Sequence, residues 1–201
     1  MTKLNKSLLR EMMDEVIISH RNGKPYLKRR PKKVKNPKTE QQINQRGKFR
    51  AASAFVSRNL DVLIRPYWNP EAKRRGMTGQ NLFCKINTQA FDADGNPDFE
   101  KLQLAVGDLK GIECLRTEVK VENSIYLKWK NNSGNDKTIE ENEIKLFGVD
   151  EALQVEAIEC NVTRKQESCL FSLNLEKYSA LFLFFWDREL HMTSMPEWII
   201  F

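Results

Sequence analysis

Twelve of the chain's 33 lysines and arginines fall between residues 21 and 50, against a single acid, Glu40. That segment carries a net charge of +11, while residues 51–201 hold 18 basic and 23 acidic side chains, a net −5. Like charge at this density raises the free energy of any compact fold built around it. The segment is therefore expected to stand outside the core as a basic arm on an acidic body.

Within the arm, an extended apolar run from Glu15 precedes Arg21-Asn22-Gly23-Lys24. Asn-Gly favours the paired positive φ angles of a type I′ turn, which predicts a β-hairpin over 15–30. Pro31 and Pro37 bracket a lysine-rich stretch expected to be extended and solvated. Thr39 is a good N-cap, with Gln42 three residues on to complete a capping box. A helix is expected from there to Ile64, stopped by Pro66. A second helical segment is expected from Asn69 to about Ala90, interrupted by Gly76 and Gly79, and a loop over 91–97.

Beyond Pro97 the apolar period changes to two. Strands are expected near 99–106, 113–121, 124–130, 143–149, 153–160, 168–174, 180–187 and 196–201, with Asn131–Asn135 as a turn. Short strands at this spacing, with no helix-length crossovers, point to an antiparallel β-sandwich. The expected fold is α+β: a basic arm with its hairpin over 1–38, a helical segment over 39–97, and an immunoglobulin- or fibronectin-III-like sandwich over 98–201.

The stretch from Asn22 to Val56 resembles the opening of an uncharacterised protein family widespread in Bacteroidota. The resemblance rests on Gly23 in the hairpin, Arg29 and Arg30 before Pro31, Asn36-Pro37-Lys38-Thr39-Glu40-Gln41-Gln42 leading into the helix, and Arg46-Gly-Lys-Phe49 upon it. Trp129-Lys-Asn-Asn-Ser-Gly134 is similar to the family's strand-to-turn step. The first strand, Glu15-Val-Ile-Ile-Ser19, departs from the Gly/Trp-rich pattern common there, and the tail after Leu175 matches little of the family's pattern. The resemblance implies one continuous fold, brings no assigned activity, and suggests an origin in mobile or phage-like gene sets.

Catalytic patterns are missing. His20 and His191 stand without HExxH or nearby cysteines, and GxSxG, Walker and GxGxxG elements do not occur. Asp92-Ala-Asp94-Gly95-Asn96 looks briefly like a calcium loop, but the EF-hand glycine and glutamate positions hold Pro97 and Gln103, so a turn is expected. Glu140, Glu141 and Glu143 read as a solvated approach to a strand. The four cysteines lack close pairs and are expected to be buried free thiols. With no apolar leader or spanning run, a cytoplasmic or particle-borne location is expected.

The candidate site is thus the arm and the helix that follows it: Arg21, Lys24, Tyr26, Lys28, Arg29, Arg30, Lys32, Lys33, Lys35, Lys38, Arg46, Lys48 and Arg50. The expected role is a non-enzymatic structural subunit, without cofactor or metal, whose arm docks on another copy or another subunit of an assembly. Alternatives are a sequence-independent nucleic-acid binder and a sandwich that recognises a ligand through loops 131–137 and 161–167.

Overall fold

The computed structural model describes residues 15–21, 23–30, 36–119, 123–134 and 138–200. It divides into two compact units, residues 1–39 and 40–201. In the first, β1 (Val16–Arg21) and β2 (Lys24–Arg29) form an antiparallel ribbon of six cross-strand pairs, from Val16 opposite Arg29 to Arg21 opposite Lys24. Gly23 adopts φ +76°, the left-handed value that the turn demands and that glycine takes without a steric penalty. The lysine stretch over 31–35 lies outside the described residues.

In the second unit, α1 (Glu40–Arg58) begins directly after Thr39. It stops six residues before Ile64, and Pro66 does not terminate it. Instead a π-helical segment, Leu60–Trp68, runs through the proline. The Ile64 N–H donates to the Asn59 carbonyl five residues back (3.2 Å), and the Asn69 N–H donates to Ile64 in the same way. This wider winding carries the chain past the donor that Pro66 lacks. Its inner side chains Leu63, Ile64 and Trp68 are fully buried. The segment expected as one interrupted helix is α2 (Asn69–Arg74) and α3 (Gly79–Asn87), followed by a 3₁₀ turn, Thr88–Ala90. Gly76, at φ +68°, makes the break, and the Thr78 hydroxyl caps α3 by accepting the Asn81 N–H.

Two antiparallel sheets follow, which with the helices make an α+β fold. One is β3 (Glu113–Val119), β4 (Ser124–Lys130) and β7 (Ser168–Ser172), in the order β3-β4-β7. The other is ordered β10-β8-β5-β6, from β10 (Glu197–Ile200), β8 (Ala180–Asp187), β5 (Glu143–Val149) and β6 (Val155–Ile158), with β9 (Met192–Thr193) on β8. The period-two pattern decides which way each side chain points. Leu181, Leu183 and Phe185 of β8 join Ile144 and Leu146 of β5 in a core shared with Ile125, Leu127 and Trp129 of the smaller sheet. The alternate residues Phe182, Phe184, Phe147 and Val149 face the helices, packing with Phe55, Leu63, Trp68 and Phe83. Strand β8 is buried on both sides, which is why its sequence is a continuous apolar run.

The strand expected over 99–106 does not form. Leu102, Leu104, Ala105 and Val106 are buried in irregular backbone, and side chains take the place of a neighbouring strand. Asn87 both donates to the Gln103 carbonyl and accepts its N–H; the Trp198 indole donates to Leu102, the Trp68 indole to Leu104, and the Thr193 hydroxyl to Val106. Buried backbone groups require such partners wherever they come from. The cysteines also differ from expectation: none is fully buried, and Cys114 is exposed at a bulge of β3 with φ +56°.

Candidate interaction site

The ribbon's register divides the arm's side chains between two faces, because residues opposite one another in an antiparallel pair point the same way. One face carries Val16, Ile18 and His20 opposite Arg29, Leu27 and Pro25. The other carries Ile17, Ser19 and Arg21 opposite Lys28, Tyr26 and Lys24. The arm is thus an amphipathic ribbon. On the first face Ile18 and Leu27 form a cross-strand pair, 69% and 71% exposed, and the Arg29 guanidinium reaches the Glu15 carboxylate at 3.4 Å. On the second, Arg21, Lys24 and Lys28 surround Tyr26, itself 44% exposed. Arg30 and Lys38 are exposed as well, and Lys32, Lys33 and Lys35 lie outside the described residues.

The remaining predicted residues sit on α1. Arg46, Phe49 and Arg50 are exposed, as is Ile43, while Lys48 is half-buried and donates to the Gln89 side chain at 3.2 Å. Beside Arg50, the helix is pressed onto the 91–98 turn at Gly47, where a Cβ would lie 2.7 Å from the Ala93 carbonyl oxygen. That turn is the one expected from the sequence. The Asp92 carboxylate accepts the N–H groups of Asp94, Gly95 and Asn96 and the Asn96 side-chain amide, and these bonds, the Asn96 side chain first, hold its pKa below the usual range.

Of the acidic cluster, Glu140 and Glu141 are exposed and Glu143 pairs with Lys145 at 2.5 Å. Among the described residues no three His, Cys, Asp or Glu side chains converge as a metal set, and no helix is long and apolar enough to cross a membrane. Chemically, the arm offers fixed cations, one aromatic ring and two exposed aliphatic chains. That combination can hold an anionic surface and an apolar contact at once.

Sequence reasoning missed the most unusual group in the body. Arg164, in a 3₁₀ turn (Arg164–Gln166) of the 161–167 loop, is completely buried with its guanidinium 3.6 Å from the centre of the Phe185 ring. It donates to the Asn132 side chain and to the Lys110 carbonyl, and its Nε has no acceptor among the described residues. Burial pulls its pKa down to about 10, only partly opposed by Glu113. The turn has a capping box, Thr163 with Gln166, and that spacing was the available signal. The loop thus directs its one arginine inward, onto the Phe185 ring.

The fold and the arm define a class: an α+β body with two facing antiparallel sheets, preceded by a separate basic ribbon. A family of unknown function, DUF6266, matches residues 9–158, and the chain belongs to it. No curated protein and no solved structure matches. The matched region takes in the ribbon, the helices and the strands through β6, whereas β7 to β10, including the doubly buried β8, lie beyond it.

Proposed function

We propose that the protein is a non-enzymatic subunit of an assembly, held to a neighbouring subunit by its basic ribbon, with a phage-like particle as the setting that the family resemblance implies. The observation that carries this reading is the separation of the cationic ribbon, as its own compact unit, from a body of opposite net charge. A copy that docks its ribbon on the body of the next repeats the contact head to tail. The basic face (Arg21, Lys24, Lys28) supplies the electrostatic part, which depends on ionic strength because exposed charges are screened over ~10 Å at 0.1 M salt.

Light scattering on the full chain tests it, at about 50 mM and about 500 mM salt. The expected result is association at low salt that is lost at high salt, and lost at both when Arg21, Lys24, Lys28, Arg29 and Arg30 are changed to Ala. A chain that stays monomeric at every concentration, alone and with proteins encoded beside it, overturns the reading. Tyr26 amid the cations favours one other occupant, nucleic acid. Binding of a labelled duplex or single strand, weakening steeply with salt while the protein itself stays monomeric, would assign the arm to that partner instead.

A further inference from the structure

The outer face of the smaller sheet carries charge that the fold itself leaves unmatched. Strand β4 points Ile125, Leu127 and Trp129 into the core, so Lys128 and Lys130 stand on its outer face, both exposed. In the β3–β4 ladder the exposed Arg116 lies directly opposite Lys128, and like charges placed so destabilise a strand pair. Between Glu113 and Arg116 the register shifts, with Cys114 and Leu115 set against Trp129 alone. Such a bulge re-aims side chains, and this one leaves the exposed Cys114 beside the cations. Cys114, Arg116, Lys128, Lys130 and Glu167 line a hollow of about 320 Å³. The Glu167 carboxylate is engaged elsewhere, accepting the Asn131 N–H at 2.8 Å. Among the described residues none of the three cations is held in an ion pair or a side-chain hydrogen bond, and Glu113 does not pair with Lys130, its partner in register.

The geometry points to a binding site for a phosphate group in this hollow. Three cations against one carboxylate leave its lining with a net charge of +2. A phosphate monoester, at about −1.5 to −2 near pH 7, balances that charge, and a single carboxylate does not. It also brings an acceptor oxygen for each cation: the planar Arg116 fork can engage two oxygens at once, while Lys128 and Lys130 act as point charges. An anion seated between Arg116 and Lys128 replaces their repulsion with a shared attraction. The volume lies at the lower end of the ~300–1,000 Å³ of small-molecule sites, room for a phosphate with a small group attached. The hollow belongs to the body, so the inference does not rest on the assembly reading of the ribbon.

Alkylation of Cys114 by iodoacetamide, an uncharged reagent, reads occupancy of the hollow on the full chain. Peptide mass spectrometry follows each cysteine separately, so Cys84, Cys160 and Cys169 serve as internal references. Inorganic phosphate at about ten times its dissociation constant should slow the reaction at Cys114 alone by about tenfold, in proportion to the fraction left empty. Sodium chloride at equal ionic strength should not, which separates binding from screening. Equal protection by phenyl phosphate assigns a monoester as the ligand, and protection by inorganic phosphate only assigns the free ion. Arg116→Gln with Lys128→Gln should weaken phosphate by about tenfold or more and, with the repelling pair gone, melt no lower than the wild type. Lys130→Gln alone reads the same loss if the double variant does not melt cooperatively, and Gln at the exposed Lys73 and Lys85 should leave the protection intact. No protection at millimolar phosphate, equal protection by chloride, or protection that survives in the Arg116/Lys128 variant overturns the inference. Protection by an oligonucleotide where phosphate and phenyl phosphate give none would assign the face to nucleic acid and overturn it equally.

Discussion

Trp129 joins the smaller sheet to the loop that buries Arg164. Its ring is 2% exposed in the core between the two sheets, and its indole N–H donates to the Arg164 carbonyl at 2.9 Å. Trp129→Ala removes the ring and leaves a cavity among Ile125, Leu127, Phe171 and Phe185, and such truncations cost ~3–5 kcal/mol. The same change removes one of two donors to the Arg164 carbonyl, which keeps the Glu167 N–H at 3.4 Å, and adds ~0.5–1.5 kcal/mol for the lost hydrogen bond. Against a total stability of ~5–15 kcal/mol, the variant should be loosened or unfolded. Trp129→Phe divides the two effects, since it keeps most of the apolar ring and loses only the donor, for about 0.5–1.5 kcal/mol. Urea unfolding followed by circular dichroism reads both. With a urea slope of ~1–3 kcal/mol/M, Trp129→Ala should lower the midpoint by at least about 1 M, and Trp129→Phe by less. An alanine variant within about 1 kcal/mol of wild type would refute the placement of this ring at the centre of the sandwich core.

Other perturbations test separate parts of the fold. Burial works to raise the Glu71 pKa, but hydrogen bonds and charge from Arg74 and Arg75 outweigh it and hold the carboxyl below its usual 4.5. A folded-state pKa lowered in this way gives stability that is fully present above pH 4.5 and is lost as pH falls through the folded value. Glu71→Gln should therefore destabilise at pH 7 and flatten the acid limb of the stability curve, as followed by thermal melts between pH 3 and pH 7. Arg74 also donates to the Leu190 and His191 carbonyls, so the same substitution should speed hydrogen exchange around the β8–β9 turn. Gly107→Ala would place a Cβ 2.1 Å from the Thr193 carbonyl oxygen, a backbone atom, and should cost ~1–3 kcal/mol or prevent folding, as seen in urea unfolding. Removal of residues 1–39 should leave a cooperatively melting body with its transition within a few degrees of the full chain, because α1 and both sheets belong to the other unit.

The ribbon was legible because Asn-Gly between two extended runs specifies its turn and register locally, and α1 because its start follows from Thr39 and the spacing of Ala52, Phe55 and Val56. Strands β4, β5 and β8 were legible to within a residue, since burial on one face or both writes itself into a period of two or into an unbroken apolar run. What escaped depends on residues far apart in sequence. The passage of the π-helical segment through Pro66 is stabilised by core packing of Leu63, Ile64 and Trp68, which no local rule contains. Residues 102–106 carry a strand-like pattern, but their partners are the side chains of Asn87, Trp68, Trp198 and Thr193, so alternation reported burial and not pairing. The candidate site was legible as charge alone. Its division into a cationic and an aliphatic face required the register, which places Ile18 beside Leu27 and Tyr26 beside Ser19.

The central claim is that the ribbon exists to meet a partner and the body folds without it. Amide hydrogen exchange through residues 16–30 tests this most directly, measured on dilute monomer and on the associated protein under the same buffer conditions. The account predicts exchange within the fast, locally opening range in the monomer, with strong protection appearing on association and the body's β5 and β8 protected throughout. Equal, slow exchange of residues 16–30 in the dilute monomer would contradict it, and would make the hairpin a stabilising part of the fold itself.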